Sequence, residues 1–169
     1  EVHARHFIPE GNLQTLDAGC GTGLCGAVMA PYAKYLTGVD LSSGMLRVAR
    51  KLGLYDALIK KEITEFLSEK REEYDMIVMA DTLIYFGSLK TIFSAIFQAL
   101  TTRGLFVFSV ENSRECAEKN GSTLNHNGRY SHTQCYIEDS LKRNGLTPLS
   151  IEPHILRMEL GCPVDGMLV

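Results

Sequence analysis

Between Thr15 and Gly26 the chain reads Thr-Leu-Asp-Ala-Gly-Cys-Gly-Thr-Gly-Leu-Cys-Gly. An apolar run containing an acid meets three glycines at alternate positions, Gly19, Gly21 and Gly23, and a helix-competent segment follows at once. Glycine at this density tolerates positive φ and lets a ligand lie against bare backbone. The helix beyond brings unpaired N–H groups and the positive end of its dipole. A strand, a glycine turn and a helix in that order point to an α/β fold and to a seat for a nucleotide-like ligand.

The rest of the chain keeps the same alternation. Residues 13–18, 35–39, 57–63, 75–80 and 104–110 are short apolar runs, expected as buried strands. Residues 24–35 are expected as a helix that Pro31 kinks or ends. Ser42 or Ser43 caps a helix that Gly53 terminates, and residues 64–73 form a charged amphipathic one. Ser88 is expected to cap a further helix, with apolar residues at helical spacing from Leu89 to Leu100. A helix over 133–143 and two strands, 149–159 and 164–169, close the order. Continuous apolar strands separated by helices indicate a parallel sheet covered on both faces. The last two lack a helix between them and should form a hairpin that adds an antiparallel strand. The polar stretch 111–133 is expected as a long irregular segment, and residues 1–7 as the tail of a helix ended before Pro9.

At 169 residues the chain is read as one domain, 1–169, able to bury a core without covalent staples. Its formal net charge of -3 argues against a nucleic-acid partner, which calls for a basic face. Cys20, Cys25, Cys116, Cys135 and Cys162 show no C-x-x-C spacing; they read as reduced thiols of a cytoplasmic protein, with no metal site expected. No run approaches the roughly 20 apolar residues of a membrane span. The chain opens on Glu1, which is read as the start of an excised or processed piece.

Ligands of open α/β sheets bind beyond the carboxyl ends of the strands. The glycine loop ends the first strand, and Asp40 ends the second, placed to accept hydrogen bonds from ribose hydroxyls. Two cofactor classes satisfy this arrangement. Gly21-x-Gly23-x-x-Gly26 with Asp40 meets the dinucleotide fingerprint of a nicotinamide-dependent oxidoreductase. Asp17, however, would repel a pyrophosphate. It suits a ligand with an ammonium group, such as the amino-acid end of S-adenosylmethionine.

These residues carry a family resemblance. Residues 16–23 resemble the first motif of class I S-adenosylmethionine-dependent methyltransferases, and residues 38–46 their second-strand acid and following helix. Residues 74–81 are similar to their fourth-strand motif, and 104–109 to their fifth strand. The tail from Gly128 to Val169 resembles bacterial methyltransferases joined to tetratricopeptide repeats. It is more loosely similar to the carboxyl-methylating enzymes of biotin synthesis and to quinone C-methyltransferases.

The resemblance implies a Rossmann-like, doubly wound, seven-stranded mixed sheet. It implies methyl transfer from S-adenosylmethionine to a small-molecule or carrier-bound acceptor, with a non-catalytic cofactor-binding interaction domain as the other alternative. Asp17 would then hold the methionine ammonium through water, and Gly19, Cys20, Gly21 and Gly23 would lie against the cofactor. Asp40 would take the ribose, with Leu41 and Met45 near the adenine. Glu62-Ile63 stands where the family often has Asp followed by an apolar residue, so Glu62 is either an adenine contact or a solvated surface acid. The resemblance also implies an upstream repeat domain outside this chain. The family's N-terminal helix is expected to be missing, which would leave the pocket more open.

Methyl transfer is an in-line displacement, so the acceptor must be aligned and, if it is a hydroxyl or an ammonium, deprotonated. Asp81 ends the fourth strand and is a base, a cofactor contact or a helix cap. The stretch after it, Thr82-Leu83-Ile84-Tyr85-Phe86, lacks the Asp/Asn-Pro-Pro-aromatic motif of many enzymes that methylate amino groups of nucleic-acid bases or glutamine. His132 and Tyr130 lie in the polar segment after the fifth strand, where an imidazole titrates near neutrality and can serve as a base. Arg129 offers a fork for a carboxylate or phosphate. His3, His6 and His154 read as surface or structural residues.

Overall fold

The computed structural model describes residues 11–113, 121–159 and 161–169. The expected helix tail at 1–7, His3, His6, Cys116 and the question of an N-terminal helix lie outside these residues.

Strands β1 (Leu13–Ala18), β2 (Ala33–Asp40), β3 (Ala57–Lys60), β4 (Tyr74–Met79) and β5 (Leu100–Asn112) lie in the order β3-β2-β1-β4-β5, all parallel. Between them run α1 (Leu24–Met29), α2 (Ser43–Lys51), α3 (Ile63–Ser68) and α4 (Lys90–Ala99). Two short strands follow, β6 (Ser122–Leu124) and β7 (Tyr130–His132), then α5 (Gln134–Arg143). The hairpin of β8 (Glu152–Glu159) and β9 (Cys162–Leu168) closes the chain, with β9 antiparallel to both β8 and β5. This is the Rossmann-like α/β architecture expected, a mixed sheet with an antiparallel C-terminal pair.

The described sheet holds nine strands rather than seven, because β6 and β7 arise within the stretch expected to be irregular. They pair with each other, and β7 adds in parallel to Glu111 and Asn112 at the far end of β5. Three-residue polar strands carry too little alternation to announce themselves, and only the pairing reveals them.

Alternation along the strands explains the two-sided core. Leu16, Ala18, Ile77, Met79, Phe108 and Val110 face the side covered by α3, α4 and α5. Leu36 and Met76 face the other side and pack with Met29 of α1. Phe93 of α4 meets Phe106 and Phe108 of β5 at centroid distances of 5.7 and 5.5 Å, an edge-on and a tilted pair.

Local signals set the element ends. Helix α1 stops at Met29, two residues before Pro31, which allows β2 to begin at Ala33. Ser42 caps α2 by accepting from Met45 N at 3.3 Å, and Arg50 and Lys51 suit the negative end of that helix. Ser88 does not cap α4, which has no side-chain cap. The N–H of Leu89 donates instead to the Tyr136 hydroxyl of α5 at 3.0 Å. Among the described residues no helix is long and apolar enough to cross a membrane.

Gly166 allows the hairpin to lie close to β5: an added Cβ would sit 2.5 Å from the Val110 carbonyl oxygen and would collide with Leu156. Gly166→Ala is therefore expected to destabilise the chain by about 1–3 kcal/mol, measured by urea denaturation. A loss below about half a kcal/mol would show that the hairpin shifts freely on β5.

Candidate functional site

The glycine loop is tied to the end of β2 by Gly19 N and Cys20 N, which donate to the Val39 carbonyl at 2.8 and 3.1 Å. Gly21 adopts φ +53, and among the described residues a Cβ added there meets nothing within 4 Å, so the space over it is open. Gly19 is different, since a Cβ would strike Thr82, whose hydroxyl donates to the Ala18 carbonyl at 3.2 Å. The residue after Asp81 thus wedges the β4 exit against the loop.

Asp40 spans the loop and the next helix. Its Oδ2 accepts from Gly21 N at 3.0 Å and its Oδ1 from Ser42 N at 2.7 Å. A carboxylate has about four lone-pair sites, so each oxygen keeps capacity for a further donor. Leu41 and Met45 stand nearby, 63% and 46% exposed.

Beneath the loop lies Tyr55. Added Cβ atoms at Gly23, Gly26 and Gly38 would all press on its ring, and its hydroxyl donates to Asp17 Oδ2 at 2.6 Å. Asp17 is only 2% exposed, and burial pushes its carboxyl up to about 6. Tyr55 thus holds one oxygen of the acid beneath the loop, and Asp17 supports the loop from below. Burial likewise pushes the Cys20 thiol up to about 12 and raises the Tyr55 hydroxyl. Both stay protonated at neutral pH.

Glu62 and Ile63 stand at the start of α3. Glu62 is the N-cap of α3, its carboxylate accepting from Glu65 N at 2.7 Å. Ile63 is buried in the larger core. One oxygen of the acid serves the helix start, and its neighbour packs in the core.

At the carboxyl ends of β4 and β5 the backbone of Asp81 takes φ +52, and its N–H donates to Ser109 Oγ at 2.8 Å. Its carboxylate does not cap a helix; it pairs with Arg157 Nη1 at 2.6 Å. Leu83–Tyr85 forms a single 3-10 turn after it.

His132 belongs to β7 rather than to an open lid. Its ring is 0% exposed, with Nε2 3.3 Å from the Gly87 carbonyl, Nδ1 enclosed, and Tyr136 stacked at 5.7 Å. Burial lowers its pKa, which keeps the ring neutral. Buried this way, it braces the chain at Gly87 and has no open path along which to take an acceptor's proton. Tyr130 packs its ring on the same Gly87. Arg129 is not a free fork, because its Nη1 donates to Glu159 at 2.8 Å.

Sequence reasoning missed Tyr55, Glu111 and Arg157, and named Thr82 only within the stretch after Asp81. Tyr55 had one available signal, an aromatic residue just past the Gly53 stop of α2. Arg157 had almost none, since its partner Asp81 lies 76 positions away. A cleft of about 490 Å³ lies at the other end of the strands, lined by Gln14, Tyr35, Thr37, Lys70 and Tyr74. Size does not single it out, because the glycine loop and Asp40 stand at the carboxyl end, where open α/β sheets bind ligands.

The sequence pattern of the methyltransferase domain family matches residues 16–108, more than half of the chain. The chain belongs to the methyltransferase domain family. The match runs from the core of β1 to β5 and includes the loop, Asp40 and Asp81. Malonyl-[acyl-carrier protein] O-methyltransferase of Priestia megaterium is 36% identical over 99 residues, covering 56% of this chain and 35% of that protein. Ubiquinone biosynthesis O-methyltransferase of Pasteurella multocida is 31% identical over 112 residues, covering 59% and 46%. The chain thus spans less than half the length of these relatives, and the quinone-pathway one is an O-methyltransferase rather than the C-methylating kind expected. An S-adenosylmethionine-dependent methyltransferase from Mesorhizobium loti shares the fold, with a TM-score of 0.72 at 23% identity over 99% of this chain and 94% of that one. S-adenosylmethionine is the cofactor of this methyltransferase family.

A carboxyl group whose pKa is raised in the folded state binds its proton more tightly there than in the unfolded chain. Stability therefore falls as pH rises from the unfolded value toward about 6. Two pK units correspond to about 3 kcal/mol. Asp17→Asn should gain on the order of 3 kcal/mol relative to the parent between about pH 4 and about pH 7, read from urea curves at both. A constant difference would mean that Asp17 titrates like an exposed acid.

Proposed function

We propose that this chain transfers a methyl group from S-adenosylmethionine to a small-molecule or carrier-bound acceptor. The observation that carries the reading is the open face over Gly21, flanked by the half-used Asp40 carboxylate and by exposed Leu41 and Met45. In this reading residues 19–23 run beneath the cofactor, and Asp40 accepts the ribose hydroxyls with its remaining lone pairs. Leu41 and Met45 cover the adenine. Asp17 contributes its negative charge from below, which favours the cationic end of the cofactor without touching it.

When bound, the cofactor supplies an activated sulfonium methyl. The chain aligns the acceptor with it and takes up a proton where the acceptor has one to lose. The two O-methyltransferase relatives have carrier-bound malonyl and ubiquinone biosynthesis in their names, which supports small or carrier-bound acceptors here. The net charge of -3 disfavours nucleic acid. A dinucleotide fits less well, because the Asp17 carboxylate beneath the loop repels a pyrophosphate.

Titration calorimetry tests this. S-adenosylhomocysteine is expected to bind saturably and NADH not at all; binding of NADH alone would replace the reading with an oxidoreductase. Asp40→Ala should weaken S-adenosylhomocysteine by about 1.5–3 kcal/mol through lost charge-assisted hydrogen bonds. Gly21→Val fills the open face and should abolish binding while the chain still melts cooperatively. Unchanged affinity in both variants would place the ligand elsewhere.

A further inference from the structure

A charge network runs from the open end of β4 into the C-terminal hairpin. Arg157 Nη1 donates to Asp81 Oδ1 at 2.6 Å, and Nη2 donates to Glu111 Oε1 and, at 3.4 Å, to Glu159 Oε2. Arg129 Nη1 reaches the same Glu159 oxygen at 2.8 Å, and Asn125 Nδ2 reaches Glu111 Oε2 at 3.4 Å. A register shift in β8 between Ile155 and Arg157 marks a bulge, a device that re-aims a side chain, and Arg157 crosses to β5 there.

Two features of this network bear on the acceptor. Both Nη atoms of Arg157 donate to acids and its Nε is enclosed, so carboxylates engage the guanidinium on both sides of its fork. The members most open to solvent are acids: the Asp81 side chain is 48% exposed and Glu159 37%, against 20% for Arg157 and 27% for Arg129. Among the described residues the network sets three carboxylates against two guanidiniums, and Asp81 Oδ2 is the oxygen that Arg157 leaves unused. Asp81 also stands next to Thr82, which touches the glycine loop, so it lies at the cofactor end of the sheet. A carboxylate arriving there meets like charge, whereas a hydroxyl or an amine meets an acceptor oxygen.

We infer that Asp81, positioned by Arg157, selects a methyl acceptor that donates a hydrogen bond, a hydroxyl or an amine, over one that presents a free carboxylate. The inference rests on the methyl-transfer reading above. The acceptor oxygen or nitrogen attacks the sulfonium methyl, and the O–C or N–C bond forms as the S–C bond breaks. Sulfur keeps the bonding pair and departs as neutral S-adenosylhomocysteine. The acceptor's proton passes to the Asp81 carboxylate and then to solvent.

The test incubates the chain with S-adenosylmethionine and three aromatic probes of similar size: catechol, benzylamine and phenylacetate. Methylated product is read by mass spectrometry. Transfer to catechol or benzylamine is expected to exceed transfer to phenylacetate by about tenfold or more, and the two donor probes separate hydroxyl from amine. Faster transfer to phenylacetate, or none to either donor, overturns the inference. Asp81→Asn should cut transfer to the preferred donor by about 10- to 100-fold with S-adenosylhomocysteine affinity unchanged. Lost cofactor affinity would assign Asp81 to the cofactor and overturn it. Arg157→Lys keeps the charge but loses the fork; it should lower kcat about tenfold while KM for S-adenosylmethionine holds. An unchanged kcat removes Arg157 from the inference. If the parent chain fails to bind S-adenosylhomocysteine at all, the methyl-transfer reading falls first and this inference falls with it.

Discussion

The ring of Tyr55 occupies space that three side chains would otherwise need. Gly23 in the loop, Gly26 in α1 and Gly38 in β2 all lack the Cβ that would press on it, and its hydroxyl closes on Asp17 beneath the loop. One phenol thereby joins β1, β2, α1 and the segment after α2. Burying the Asp17 carboxylate works against this arrangement, as its raised pKa shows, and the short hydrogen bond from Tyr55 offsets part of that cost. The conformation above, with Gly21 facing open space and Asp40 holding its N–H, rests on this packing.

The opposite wall of the site depends on the C-terminal hairpin. Glu111 has a side chain only 7% exposed, and a carboxylate so buried needs a partner. Arg157 supplies it from β8, across β9, and Gly166 lets β9 lie close enough to β5 for the reach. The same guanidinium holds Asp81, so the contact that neutralises a buried acid also orients an exposed one. Packing of the hairpin and chemistry at the open end are therefore one problem.

Much of the frame was legible because it depends on neighbours in sequence. The bounds of β1, a break of the helix at Pro31, a serine cap at 42 or 43 and the acid at the end of β2 all follow from local periodicity and turn chemistry. The polar side chains were harder. Glu62 carries the same charge whether it caps a helix or meets a ligand, and His132 has the same composition around it whether its strand is exposed or enclosed. Composition cannot separate such cases, because burial comes from residues elsewhere in the chain.

The sequence by itself determined the order of the longer strands and helices, the glycine turn and the place of Asp40, because steric limits on glycine and proline and the period of apolar residues act over a few positions. Only the tertiary structure decided which polar groups face open space. Tyr55 covers Asp17, Gly87 and Tyr136 enclose His132, and Arg157 turns Asp81 outward. Each of those partners approaches through folding, and a side chain's electrostatic surroundings are set by what folding brings beside it.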